Sequence, residues 1–350
     1  PRTLPFGFAI GKYEKFSTEA DFGTPIEVYA YPDEAESAKQ RLNVAKDVMN
    51  FYNEIFGPFP FEKVAIAHVV PEKGAAGVSL PTLILLSTEY FSGDISYDFA
   101  HQNVGASFQG PLVIADEISH QWNFYSISFP NVLSEGMAQY TDTLFAEHIA
   151  GSEVLKKHAL YYSGVYKAIV AYQQDVPIAS SKVYQTPAYS AIVFSKGAMI
   201  LHMLRYVMGD ESFFQGVKDL FVRYQGKEAG FEDFQKVMEE HHGESLEWFF
   251  SQWYERTGYP HYKVGLSSEA KGDRYIATVE ITQIQEEPFQ MPADIAIEYE
   301  GGTKLFPKVM VDAKHQVLRF ELPGKPLSVR LDEDEYLLKE VSYDGSEPAG

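Results

Sequence analysis

The sequence predicts a multidomain α/β protein, and three changes of texture along the chain carry that reading. Residues 5–31 alternate in short apolar runs, Phe6-Gly-Phe-Ala-Ile10 and Ile26-Glu-Val-Tyr-Ala30, broken by polar turns, which is the period of strands. Residues 111 to about 258 instead repeat their apolar side chains at helical spacing. From Tyr262 to about Ser342 the two-residue period returns, as in Tyr275-Ile-Ala-Thr-Val-Glu-Ile281 and Val317-Leu-Arg-Phe-Glu-Leu322, with turns at Gly272, Gly301-Gly302 and Pro323-Gly324. The divisions expected are 1–31 as a β segment, 32–260 as a mainly helical domain and 261–345 as a β-sandwich.

Each element has a local cause. A helix is expected after Pro32-Asp33, with Leu42, Ala45, Val48, Met49, Tyr52 and Ile55-Phe56 on its buried face. Gly57-Pro58-Phe59-Pro60 ends it, because proline lacks the amide hydrogen that a further turn would need. Residues 63–70 and 83–87 read as strands around a loop at 74–81. Further helices are expected near 192–208, ending at Gly209, and over 211–224. The aromatic-rich segment 244–256 stops at Gly258-Tyr-Pro260. His241-His242 before Gly243 read as a pair favoured by the helix dipole at its C-terminal end, not as ligands.

Composition excludes several functions. With 350 residues and 45% hydrophobic content, the chain can bury a large core. Its net charge of −20 repels phosphate backbones, so no nucleic-acid partner is expected. With 0 Cys there is neither a disulfide nor a thiolate ligand, and a metal would have to be held by His, Asp or Glu. No run of about 18 apolar residues stands out, so no membrane span is expected within the chain. The chain opens on Pro1 in strand-like sequence and reads as an excised fragment; a periplasmic or membrane-associated setting would depend on segments outside it.

The chemistry concentrates at Ala115-Asp116-Glu117-Ile-Ser-His120-Gln-Trp122, followed by Leu133-Ser-Glu135-Gly136. In the pattern His-Glu-x-x-His, positions i and i+4 share one helical face and hold a zinc ion, while the Glu between them serves as general base. Asp116 stands in place of the first His here. A carboxylate can ligate zinc, but Asp reaches less far than His. Asp116 is therefore expected as a solvated or salt-bridged side chain, with ligation requiring a helix shift or a bridging water. The expected zinc is weakly held or absent.

Four segments in order resemble the alanyl-aminopeptidase family of thermolysin-like zinc peptidases, the gluzincins. They are Phe56-Gly-Pro-Phe-Pro-Phe61, the 116–122 and 134–140 pair, Phe194-Ser-Lys-Gly-Ala-Met-Ile-Leu-His-Met-Leu-Arg205, and 248–260. The wording Leu-Ser-Glu135-Gly is most similar to bacterial branches. The resemblance covers nearly the whole chain and implies the end of an N-terminal β domain, a thermolysin-like catalytic domain and a C-terminal β-sandwich. It also implies His120 and Glu135 as metal ligands, with Asp116 at the lost ligand's position, and Glu117 as general base. Asp142 falls where the family often has a carboxylate that orients a ligand; the alternative is a solvent-exposed Asp.

The departures fall on the chemistry. Phe194 occupies the place of the Tyr that the family uses to stabilise the oxyanion; Tyr189 or Tyr184 is the available substitute. The family's Gly-Ala-Met-Glu-Asn substrate loop aligns with Ala76, Gly77, Val78, Ser79 and Leu80, so Ser79 replaces the Glu that holds a free α-amine. Two functions are implied. The first is an impaired or inactive homologue whose cleft binds a peptide or protein. The second is a working zinc metallopeptidase with Asp116, His120 and Glu135 as ligands.

Overall fold

The computed structural model describes residues 4–344 except 71–75, 94, 96 and 100–109, and it shows the mixed α/β organisation. A sheet of β1 (Glu14–Glu19), β2 (Pro25–Ala30), β3 (Val64–Val69), β4 (Gly77–Leu80) and β5 (Leu83–Ser87) runs in the order β1-β2-β3-β5-β4. β2, β3 and β5 are parallel neighbours, so β2 must cross over to β3, and α1 (Ala35–Phe56) makes that connection. The apolar run of β3 is buried along nearly its whole length, as a central parallel strand requires.

Two strand expectations change. Gly77–Leu80, read as part of a loop, is an edge strand antiparallel to β5; positions 74–75 of that loop lie outside the described residues. The Phe6–Ile10 stretch, read as strand, pairs with no strand among the described residues and leaves Phe6 and Ile10 exposed. β1 and β2 belong to the same sheet as β3–β5, so the division expected at residue 31 falls between strands of one sheet.

The helical part comprises α2 (Thr88–Ser92), α3 (Pro111–His120), α4 (Asn131–Ala150), α5 (Ser152–Val170), α6 (Gly197–Met208), α7 (Asp210–Arg223), α8 (Phe231–His242) and α9 (Glu247–Tyr254). α3 widens into π-helical turns over Gln121–Ser126, and α6 is entered through another such segment, Ala191–Lys196. Such turns cluster at functional sites because they re-aim the side chains beside them. Trp122, Leu133, Met137 and Tyr140 are buried, and Trp122 Nε1 donates to the Gly57 carbonyl at 3.2 Å. Ala191–Met208 is long and apolar enough to cross a membrane, contrary to the reading of the sequence, but 83% of it is buried inside the protein, as in a core helix.

α4 meets the start of α6 at two glycines. A Cβ on Gly136 would lie 3.0 Å from Gly197 Cα, with backbone rather than a flexible side chain in the way. Gly136→Ala is therefore expected to lower stability by about 1–3 kcal/mol, the usual cost of overpacking. Denaturant melts measure this; an unchanged midpoint would mean that the helices separate freely.

The C-terminal part is a β-sandwich. One sheet has the order β10-β7-β6-β12 and the other β11-β8-β9. The strands are β6 (His261–Lys271), β7 (Arg274–Gln283), β8 (Met291–Tyr299), β9 (Gly302–Val311), β10 (His315–Leu322), β11 (Pro326–Leu331) and β12 (Glu340–Asp344). It is fastened to the helices through Trp253 Nε1 on Met291 Sδ at 3.3 Å and Lys167 Nζ on the Lys339 carbonyl at 3.0 Å.

Candidate metal centre and cleft

α3 carries Asp116 and His120 one turn apart on one face, and α4 brings Glu135 from the other side. His120 Nε2 lies 3.6 Å from Asp116 Oδ2 and 3.7 Å from Glu135 Oε2. Donor atoms of Asp116, Glu117 and His120 also fall within 4.8 Å of one another. Ligand atoms held at about 2.0–2.2 Å from a tetrahedral ion stand about 3.3–3.6 Å apart. His120 Nε2 thus stands at about ligand spacing from each carboxylate, while the three residues whose donor atoms all lie within mutual reach are Asp116, Glu117 and His120.

The imidazole is held in register from behind. His120 Nδ1 donates to Asn123 Oδ1 at 3.1 Å, and Ser134 Oγ donates to the same oxygen at 3.1 Å. Asn123 Nδ2 in turn donates to Ser119 Oγ at 3.1 Å. This leaves Nε2 facing the carboxylates, the orientation that a ligand needs. Sequence reasoning missed Asn123 and Ser134; the only sequence signal is that Asn123 follows His120 by three residues on a helix.

The carboxylates tune one another. Burial pulls the His120 imidazole down, but the charges of Asp116, Glu135 and Glu117 outweigh it and raise it to about 9. Burial, followed by the Asp116 charge, raises Glu117 to about 8. Burial also raises Glu135, against the pull of His120. Glu117 packs against β4 so closely that a Cβ on Gly77 would stand 2.5 Å from its Oε1, so a larger residue there would have to displace the Glu117 carboxylate.

A cavity of about 370 Å³ is lined by Ala76, Gly77, Val78, Ser79, Asp116, Glu117, His120, Glu135 and Phe194, so these sequence-predicted positions come together. Asp142 does not line it. It is buried, not solvent-exposed, and accepts from Gln139 at 3.1 Å and Thr143 at 3.1 Å; its carboxyl is raised by burial and then by Asp116. Ser79 Oγ donates to the Glu117 carbonyl at 2.9 Å and accepts from Gln121 at 2.8 Å, so its hydroxyl is committed to the wall. Tyr189 stands edge-on to Phe194 at 6.3 Å, and its phenol is raised by burial and then by Glu135. Tyr184 is farther out and exposed. His241 pairs with Asp219 at 3.1 Å on the helix surface.

Comparison with known proteins identifies the family. Residues 40–253 match the Peptidase family M1 domain. Glutamyl aminopeptidase of Sus scrofa is 24% identical over 72% of this chain and 27% of its own length. Aminopeptidase N of Lactococcus lactis subsp. lactis is 26% identical over 73% of this chain and 31% of its own length. The chain thus spans about a quarter to a third of the length of these curated relatives. The crystal structure of Legionella pneumophila aminopeptidase A in complex with aspartic acid superposes with a TM-score of 0.76 at 19% identity, over 96% of this chain and 39% of that one. At that identity the likeness speaks for the fold alone.

Proposed function

The chain belongs to peptidase family M1, and from that membership we propose a metallopeptidase homologue whose cleft binds peptides and hydrolyses them poorly. The observation that carries this reading is a mismatch within one cavity. Carboxylate oxygens of Asp116 and Glu135 flank His120 Nε2 at 3.6 and 3.7 Å, while Phe194 beside them has no hydrogen to donate. These three residues would hold the zinc that the family uses. When bound, the ion would supply a Lewis acid for a carbonyl and for water. A carboxylate at 116, where the family has a neutral imidazole, offsets one further unit of that ion's charge.

The remaining roles follow from the chain itself. Glu117, buried and raised to about 8, is a ready proton acceptor once ionised, as a general base must be. Phe194 leaves the tetrahedral oxygen without one donor, a loss worth about 10²–10³ in kcat. Among the described residues β4 is an edge strand lining the cleft, so an extended peptide can lie along it, although the Ser79 and Leu80 carbonyls already accept from Tyr125 and Gln121. Ser79 cannot pair with an ammonium, so a blocked N-terminus is tolerated, and the net charge of −20 favours basic peptides.

Competition between free and N-acetylated forms of one basic peptide tests this, together with its cleavage rate. The expected result is binding equal within about threefold, or under 1 kcal/mol, and slow, chelator-sensitive cleavage that Glu117→Gln abolishes. Strong preference for the free amine, or rapid turnover, would replace this reading with a working aminopeptidase. Tyr189 is the observation favouring that second reading, since its phenol borders Phe194 within the field of Glu135. There Tyr189→Phe would lower kcat.

A further inference from the structure

We infer a second reactive centre, outside the residues lining the metal cleft, in which the Thr88 hydroxyl, served by His68 and Glu34, accepts acyl groups from activated esters. The three residues follow or end three adjacent parallel strands. Glu34 caps α1 after β2, His68 lies near the end of β3, and Thr88 opens α2 directly after β5. The carboxyl ends of parallel strands are where open α/β sheets gather functional side chains from separate parts of a sequence.

The geometry assigns each role. His68 Nδ1 lies 2.6 Å from Glu34 Oε2, and His68 Nε2 lies 2.9 Å from Thr88 Oγ1. Burial pushes the Glu34 carboxyl up, but hydrogen bonds from His68, Ser92 (2.9 Å) and the Tyr31 amide (3.2 Å) outweigh it and leave it below its ordinary value. An ionised Glu34 only accepts, so a ring proton sits on Nδ1, and in the neutral imidazole the Nε2 lone pair is the one that receives the Thr88 hydroxyl. The imidazole cannot swing away, since it is stacked on Phe91 at 4.6 Å and faces Tyr31 at 4.8 Å. His68 is only 2% exposed, whereas Glu34 is partly exposed and Thr88 is exposed, so a buried imidazole joins a carboxylate to a threonine at the surface. Nucleophile, base and orienting acid within hydrogen-bond reach are recognised by geometry and not by order in the chain.

In the reaction, Thr88 Oγ bonds to the ester carbonyl carbon as its proton passes to His68 Nε2. The bond to the leaving oxygen then breaks, and that oxygen departs with the proton. Water attacks the acyl-threonine more slowly, with Nε2 as base, which releases the carboxylic acid and restores Thr88, so the acyl form accumulates first. A nitrophenyl ester suits this centre, because its leaving group departs without needing strong protonation.

The test uses the full chain with 4-nitrophenyl acetate and a chelator, so that the metal cleft contributes nothing, and follows acetylation by intact mass and peptide mapping. One acetyl group at Thr88 is expected, formed faster in Thr88→Ser, where the crowding methyl is gone, and absent in Thr88→Val. His68→Gln should acylate about 100-fold more slowly, at the low end of what a general base contributes, with an unchanged melting temperature as its folding control. Glu117→Gln should acylate at the wild-type rate, which separates this inference from the peptidase reading. Labelling that spreads over lysines with Thr88 unmodified would overturn the inference, as would equal rates in wild type and a folded His68→Gln. If His68→Gln does not fold, equal total labelling of wild type, Thr88→Ser and Thr88→Val would overturn it.

Discussion

Asp116→His combined with Phe194→Tyr is expected to turn over free and blocked amino-acid amides about 10²–10³-fold faster in kcat than Asp116→His alone. The first change replaces a carboxylate by a neutral imidazole one turn before His120, restoring the family's donor set and a full positive charge on the bound ion. The second supplies a phenol on the π-helical segment Ala191–Lys196, where Phe194 already lines the cavity. Phe194→Tyr alone should change little, because the metal centre would still carry the extra carboxylate. Specificity for a free amine should remain weak in the double variant, since Ser79 stays committed to the Glu117 carbonyl and Gln121. A double variant that binds zinc stoichiometrically and stays inert would show that position 194 does not face the reacting oxygen.

Zinc affinity is expected to rise about tenfold per pH unit between pH 6.5 and 8.5. An ion can use His120 Nε2 only after the imidazole loses its proton, and Asp116, Glu135 and Glu117 hold that proton up to about 9. Its folded value lies above the ordinary 6.5, so its contribution to stability is full below pH 6.5 and is lost as pH rises through 9. Melts in chelator should therefore lose this contribution over that window, while saturating zinc should become more stabilising. Calorimetric titrations at pH 7 and pH 8 measure the slope. A flat profile would place the ion away from His120.

The order of elements was legible because hydrophobic period is local: the buried face of α1 and the alternation of β7 and β10 are written in neighbouring residues. Gly77–Leu80 was not, because four residues carry too little pattern and their strand state comes from pairing with β5. The exposed Phe6–Ile10 stretch shows the converse, a strand-like period that finds no partner strand among the described residues. The π-helical turns after His120 and around Phe194 were also illegible, since one extra residue per turn depends on what packs against the helix. Asn123 and Ser134 behind His120, and the line from Glu34 through His68 to Thr88, join residues whose meeting no local signal announces.

Some properties of the site are covalent and needed no fold. Phe194 has no hydroxyl, Ser79 has no carboxylate, position 116 is an acid, and a chain with 0 Cys cannot offer a thiolate. Helical period alone also puts Asp116 and His120 on one face. Whether Asp116 could act with them was decided in three dimensions. Glu135 arrives on another helix, and the contact of Gly136 with Gly197 lets α4 and α6 approach to backbone distance beside the site. The resulting separations around His120 Nε2 are 3.6 Å to Asp116 and 3.7 Å to Glu135. Burial then raises Glu117 to about 8, because removing a carboxylate from water beside other carboxylates penalises its charge, and only the tertiary structure sets how much water remains.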